Sequence, residues 1–335
     1  MTASSTRPHK LIGTVIFFFL SVALVVALVR QITLSDILRL ASRLTPLQFC
    51  LLSGLYLVMA YGRGIRLGYV IREGNHGRLT AITAIHAFLN HILPFRLGEL
   101  SLPLLIKAFT SRGLASGSLS LVVVRLYDAV SIALLSALSL LVVGSEFSSS
   151  VRNVLWFSAV MVALAFMLAF RYKDVILRVS CKTMTICLRK MGQTGGKLAV
   201  RVEDAVSEMT AEIDAFDAGQ KYVLLPLSSV AVTVTNYALF YFTMVFMGID
   251  IGFFKNMLAS LGELITTFLP NTLGSFGTME AGWAAGYMLC GVSKAEAIAT
   301  GFIMHGIVLL SGFAISAFGL VYLITARKKN LSLKE

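Results

Sequence analysis

Charge is scarce in this chain: only 14% of its 335 residues are Asp, Glu, Lys or Arg, against 57% hydrophobic. A water-soluble domain carries roughly a quarter charged residues, so that class is excluded and the apolar excess must face lipid. Cysteine is nearly absent too. Cys50, Cys181, Cys187 and Cys290 show neither disulfide nor metal-ligand spacing, and each reads as a small apolar residue. No Ser-His-Asp set or metal cluster appears, so no enzyme and no cofactor are expected. Gly192-Gln193-Thr194-Gly195-Gly196-Lys197 fails as a phosphate loop, because Met191 stands for the first Gly and Leu198 follows the Lys. The net charge of +12 comes from Lys and Arg between apolar runs, with no basic helix or aromatic-basic module, which argues against nucleic acid.

What is present is a series of long apolar runs. About twenty such residues cross a ~30 Å hydrocarbon layer at 1.5 Å per residue. Full spans are predicted near 11–29, 46–69, 115–143, 153–170, 222–247 and 297–325. The first reads as a retained span rather than a cleaved leader, being long and ending in Val29-Arg30. Phe17-Phe18-Phe19 within it reads as lipid-facing. The polar connection 171–221 holds one predicted amphipathic helix, Val200–Phe216, too short for a catalytic domain.

Two further apolar segments are interrupted. Residues 80–110 break at Leu93-Pro94-Phe95-Arg96-Leu97-Gly98, and 254–290 at Leu269-Pro270-Asn271-Thr272-Leu273-Gly274. Proline removes a helical donor, and the glycine permits a change of direction. Leu, Pro, Leu and Gly recur at the same relative positions, and both breaks fall at the same place in the span order. Backbone freed in this way survives in a membrane only inside protein or beside a wet cavity.

The distribution of Lys and Arg orients the chain. Arg7 and Lys10, then Arg63, Arg66, Arg72 and Arg78, then the basic connection 171–221, and finally Arg327, Lys328 and Lys329 are expected on the cytoplasmic side. The stretches 144–152 and 248–255 are expected outside. The loop with Arg30, Arg39 and Arg43 fits this scheme badly. The resulting fold is an all-α integral membrane bundle of about six spans plus two re-entrant broken-helix hairpins. It forms an inverted repeat, with half-repeats at 1–143 and 144–326 and a cytoplasmic tail at 327–335.

Charges at membrane depth cost about 2.5–3.5 kcal/mol on insertion scales and mark interior sites. Around the first break stand His86, Asn90, His91, Arg96 and Glu99; the next span carries Arg125 and Asp128. Around the second stand Glu263, Asn271, Thr272, Ser275 and Glu280, and the last span carries His305. Arg96 with Glu99, and Arg125 with Asp128, are spaced for one helix face; mutual pairing competes with substrate binding at both. Glu280 lacks a basic sequence neighbour, so a partner in space, a proton or a cationic group is expected, or else exposure at a helix end. Glu263 is expected to pair with Arg125. His86 and His305 read first as satisfied interior histidines, and Gly282, Gly286 and Gly291 as close-packing positions.

Asn90 through Glu99, Val124-Arg125-Leu126-Tyr127-Asp128, and Leu269-Pro270 through Gly274, Gly277 and Glu280 resemble the flippase-like family that also forms the membrane portion of lysylphosphatidylglycerol synthases. The resemblance spans nearly the whole chain. It departs at Ser101-Leu102, where the family often has a basic residue, and at Val124, where it often has an acidic one. It implies a multi-pass protein of the bacterial cytoplasmic membrane, with cytoplasmic termini, that moves a polar or aminoacylated phospholipid between leaflets. The synthases' aminoacyl-transferase domain is not found, so lipid aminoacylation is not implied. In that role Asn90, Arg96, Glu99, Arg125, Asp128, Glu263, Asn271 and Glu280 line the substrate path, with Arg96 and Arg125 on phosphate. Membrane lipids are the expected partners, with a lipid-synthesis enzyme and a second copy of the chain as further candidates. An ion-coupled solute carrier, an intramembrane enzyme, and a non-transporting partner of a lipid synthase are the competing readings.

Overall fold

The computed structural model describes residues 23–172, 223–266 and 273–332, and among them every element is helical. Of the predicted first span only 23–29 falls in this set. Phe17-Phe18-Phe19, Cys181, Cys187, the helix predicted at 200–216, and Pro270, Asn271 and Thr272 lie outside it.

A short helix that no predicted run covers, α1 (Leu34–Ala41), is followed by helices at or within a few residues of the predicted apolar segments: α2 (Pro46–Ile71), α3 (His76–Ile92), α4 (Ser101–Phe109), α5 (Leu114–Val143), α6 (Ser149–Arg171), α7 (Leu225–Phe246), α8 (Phe253–Ala259), α9 (Leu261–Thr266), α10 (Thr278–Leu289) and α11 (Lys294–Ser332). Among the described residues, three stretches, Ser116–Glu146, Leu225–Phe246 and Lys294–Lys328, are long and apolar enough to cross a membrane. A fourth is added if α1 and α2, which meet at 85°, count as one span. Leu134, Leu141, Phe313 and Phe318 on these helices are exposed, as lipid-facing side chains are. Five of their buried hydroxyls are satisfied without water. Ser131, Ser136, Ser139, Thr233 and Thr243 each donate to the carbonyl one turn earlier.

α1 starts on a capping box, in which Thr33 and Asp36 exchange side-chain and backbone bonds. The arginines that fitted the charge rule badly are used locally here. Arg39 lies 3.7 Å from Asp36, and Arg43 Nη1 donates to the Met247 carbonyl at 2.7 Å, closing the C-terminus of α7.

The described helices fall into two compact units, each drawn from both halves of the chain. Unit 1 holds the residues up to Leu57, Ile85–Glu99 and Thr235–Ser316; unit 2 holds Val58–Ala84, Leu100–Val234 and the chain from Ala317 onward. In unit 2 a Cβ on Gly64 would meet the Thr80 backbone at 2.7 Å, and one on Gly117 would meet Pro103 at 2.6 Å. α2 thus lies on α3, and α4 on α5. In unit 1, α9 folds back on α10: a Cβ on Gly262 would meet Gly286 N at 2.8 Å, and one on Gly286 would meet Ala259 at 2.9 Å. Gly282 and Gly286 therefore serve close packing as predicted. Gly291 does not, because nothing among the described residues comes within 4 Å of a Cβ placed there. With φ of 91° it ends α10, where Val292 N and Gly291 N reach back to Tyr287 and Met288.

Candidate functional site

α3 stops at Ile92, since Pro94 offers no donor to continue it. The chain then runs as a 3-10 segment, Pro94–Leu100. Arg96 within it has φ of 58°, a left-handed conformation costing a residue with Cβ about 1–2 kcal/mol. Strain of this kind persists where the surroundings over-determine it, often at functional sites. Gly98 is required for a different reason than free rotation. A Cβ there would lie 2.6 Å from both Asn90 N and the Leu89 carbonyl, so the break lies against the helix it has just left. Glu99 returns beside α3 as a result. Asn90 Nδ2 donates to Glu99 Oε1 at 3.1 Å, and His86 Nε2 stands 3.9 Å from Glu99 Oε2.

At the equivalent glycine of the second break the requirement is conformational: Gly274 has φ of 66°, followed by Ser275 at 58° and Gly277 at 85°. This turn delivers Ser275 to the first break, where its Oγ donates to the His91 carbonyl at 3.1 Å, 184 positions away in the chain. That carbonyl is one of those a helix leaves without an internal partner at its C-terminus. The two matched breaks therefore meet in unit 1. They gather His86, Asn90, Arg96, Glu99 and Ser275, none of them fully exposed.

Just beyond the second break lies Glu280, in the first turn of α10 and fully buried. Its Oε2 accepts from Gly277 N–H at 2.7 Å, and its Oε1 lies 2.6 Å from His305 Nδ1. A carboxylate at a helix N-terminus is favoured by the helix dipole. His305 is also fully buried, with the Phe276 ring 4.5 Å from its own. Among the described residues its Nε2 has no hydrogen-bond partner. Exposure of Glu280 at a helix end is thus overturned, and the partner it needed is His305, on α11. Glu263, on α9, is buried as well.

Arg125 and Asp128 belong to unit 2, where Arg125 Nη1 stands 3.9 Å from Asp128 Oδ2 with its side chain 47% exposed. Asp128 has a closer partner. The Arg66 guanidinium, 3% exposed, takes the carboxylate with both terminal nitrogens and donates to Ser229 Oγ at 3.0 Å. Arg66, which the sequence offered only as one of a cluster of charges flanking an apolar run, is therefore an interior charge with a buried partner. The clue was its place inside the long apolar helix α2. Asn271 lies outside the described residues. Among the described residues no group of three His, Cys, Asp or Glu side chains is placed to hold a metal.

No curated protein and no solved structure matches the chain. The sequence profile of the lysylphosphatidylglycerol synthase TM region matches residues 11–316. The long apolar helices, the breaks at Pro94 and before Gly274, and this match over nearly the whole chain agree: the protein is a helical membrane protein and belongs to the lysylphosphatidylglycerol synthase TM-region family.

Proposed function

We propose that the protein translocates a polar membrane lipid between leaflets, its headgroup passing the paired breaks while its acyl chains stay in the bilayer. The observation that carries this reading is the Ser275 to His91 contact in unit 1. It draws two interrupted helices together and leaves charged and amide side chains partly accessible in an apolar chain. Broken helices meeting at a site are the usual substrate-binding device of membrane carriers. Family membership adds a link to membrane lipid, since the family takes its description from a lipid-synthesis enzyme.

On this reading Arg96 holds the lipid phosphate, with Asn90 and Glu99 orienting the headgroup through charge-assisted bonds. Arg125, on unit 2, supplies a second, separate phosphate contact. The chain crosses a bacterial cytoplasmic membrane six times with cytoplasmic termini, as two inverted halves whose rocking exposes the path to each leaflet in turn. Translocation draws on a gradient or on downhill consumption of the lipid.

The test is reconstitution in liposomes carrying short-chain fluorescent phospholipids, with dithionite reporting the accessible fraction. Wild type is expected to expose lipid beyond the outer-leaflet share, and Arg96→Ala to lose that excess. Activity no greater than that of protein-free liposomes, with zwitterionic, anionic and aminoacylated lipids alike, overturns the reading.

A further inference from the structure

We infer that the Glu280–His305 pair is a proton-binding site whose loading and unloading couples lipid translocation to the proton gradient. The inference rests on the lipid-translocation reading for its consequence, but not for the proton site itself.

The argument starts from a count of protons and lone pairs. Glu280 Oε1 and His305 Nδ1 are 2.6 Å apart, so one proton lies between them. Glu280 Oε2 is engaged by the Gly277 N–H, a donor that holds the carboxylate in place whatever its charge. With Nδ1–H donating to a carboxylate, the pair carries one negative charge and His305 Nε2 presents a lone pair. A second proton added at Nε2 gives an imidazolium beside a carboxylate, and the pair becomes neutral. No other bond forms or breaks.

Two features make this more than a satisfied interior histidine. Both side chains are fully buried, so whatever charge they share is met by protein groups and not by water. And Nε2, itself buried, has no partner among the described residues. A histidine serving only as a strut is normally tied at both nitrogens, since a buried polar atom left unmet costs about 1–3 kcal/mol. The pair also sits where a conformational change would reach it. Glu280 begins α10 directly after the three left-handed residues of the second break, and Phe276 from that break covers the His305 ring. α11 comes close through Gly301, where a Cβ would stand 3.4 Å from Glu280 Cα. Movement of the break thus alters the cover over the proton site, the coupling that a carrier needs.

Other titratable or charged groups lie on the segments around the pair. They are Glu263 on α9, Tyr287 on α10, Lys255 on α8, and His86, His91, Arg96 and Glu99 on α3 and the first break, which reaches this region through Ser275. Lys294 and Glu296 begin α11, several turns before His305. His86 is already set against Glu99, and Tyr287 donates its hydroxyl to Asn256.

The test uses the full chain in proteoliposomes with a short-chain fluorescent anionic phospholipid and an imposed pH gradient. Wild type is expected to redistribute the lipid in a direction that reverses when the gradient is inverted, with matching proton movement on an entrapped pH dye. Glu280→Gln keeps an acceptor for Gly277 N–H and should lose the gradient response. His305→Gln should do the same. Translocation in wild type that ignores the gradient overturns the coupling while leaving the proposed function standing; no translocation at all overturns the proposed function. The proton site is read separately, by nitrogen-15 resonances of labelled histidine in nanodiscs, assigned by loss in His305→Gln. His305 is expected to change protonation state with pH in wild type, with the profile displaced in Glu280→Gln. A ring that keeps one protonation state from about pH 4 to about pH 10 overturns the site.

Discussion

Among the described residues, each unit of this protein holds a buried acid–base contact, Arg66 with Asp128 in one and Glu280 with His305 in the other, and the two are chemically opposite. In unit 2, Arg66 meets Asp128 with a guanidinium that does not deprotonate, so the pair is a permanent ionic lock. In unit 1, Glu280 meets a histidine, His305, in place of an arginine, with both side chains fully buried. The lock is completed by Ser229 and lies among long unbroken helices. The titratable pair lies beside a break. On the proposed proton-site reading, charge that cannot titrate stands in one unit and charge that can in the other, beside the break that would move.

The sharpest way to break this comparison is to remove one side of the lock. Asp128→Ala leaves Arg66 buried without its carboxylate and is expected to cost about 3–5 kcal/mol, seen as a lowered thermal unfolding midpoint in detergent. The double change Arg66→Met with Asp128→Leu should recover most of that loss. If the single change leaves the midpoint where it was, the pair is not a lock.

A smaller effect is expected from filling the seam that carries the second break. Gly286→Ala drives a Cβ into the Ala259 backbone and should cost about 1–3 kcal/mol by overpacking. Gly54→Ala, with nothing within 4 Å, should be neutral or mildly stabilising in the same assay. Equal losses at both positions would show that the contact of Gly286 with Ala259 on α8 does not set the outcome.

Smaller again is the bond that joins the breaks. Ser275→Ala should cost about 1 kcal/mol and raise amide hydrogen exchange through residues 93–99. Unchanged exchange in Ser275→Ala would separate the two breaks in function. Least is expected at Arg125, half exposed and only 3.9 Å from Asp128. Arg125→Gln should shift stability by less than about 0.5 kcal/mol, since surface pairs contribute little. A large loss would make Arg125 part of the lock.

Much of the fold could be read from residues alone, because a bilayer enforces a simple rule. Apolar stretches of sufficient length must be helical, as every backbone donor needs a partner within its own segment. The helices α2, α5, α6, α7 and α11 therefore lie where the apolar runs placed them. Pro94 likewise announced the end of α3. The roles of individual glycines were less legible. Gly98 and Gly274 occupy matching places in the repeated motif, yet one is required by contact with Asn90 and the other by its left-handed backbone. A sequence cannot separate those reasons, since both exclude a side chain.

The candidate site divides along the same line. The sequence by itself determined which side chains are costly in a membrane: Asn90, Arg96, Glu99, Arg125, Asp128, Glu263 and Glu280 are polar whatever the fold does with them. It also determined that the chain breaks twice in matching fashion. The tertiary structure alone decided partners, because pairing depends on distances between segments remote in the chain. It gave Asp128 to Arg66 ahead of Arg125, Glu99 to Asn90 and His86, and Glu280 to His305. Local spacing finds neighbours one helical turn apart, whereas burial rewards whichever opposite group the packing brings nearest.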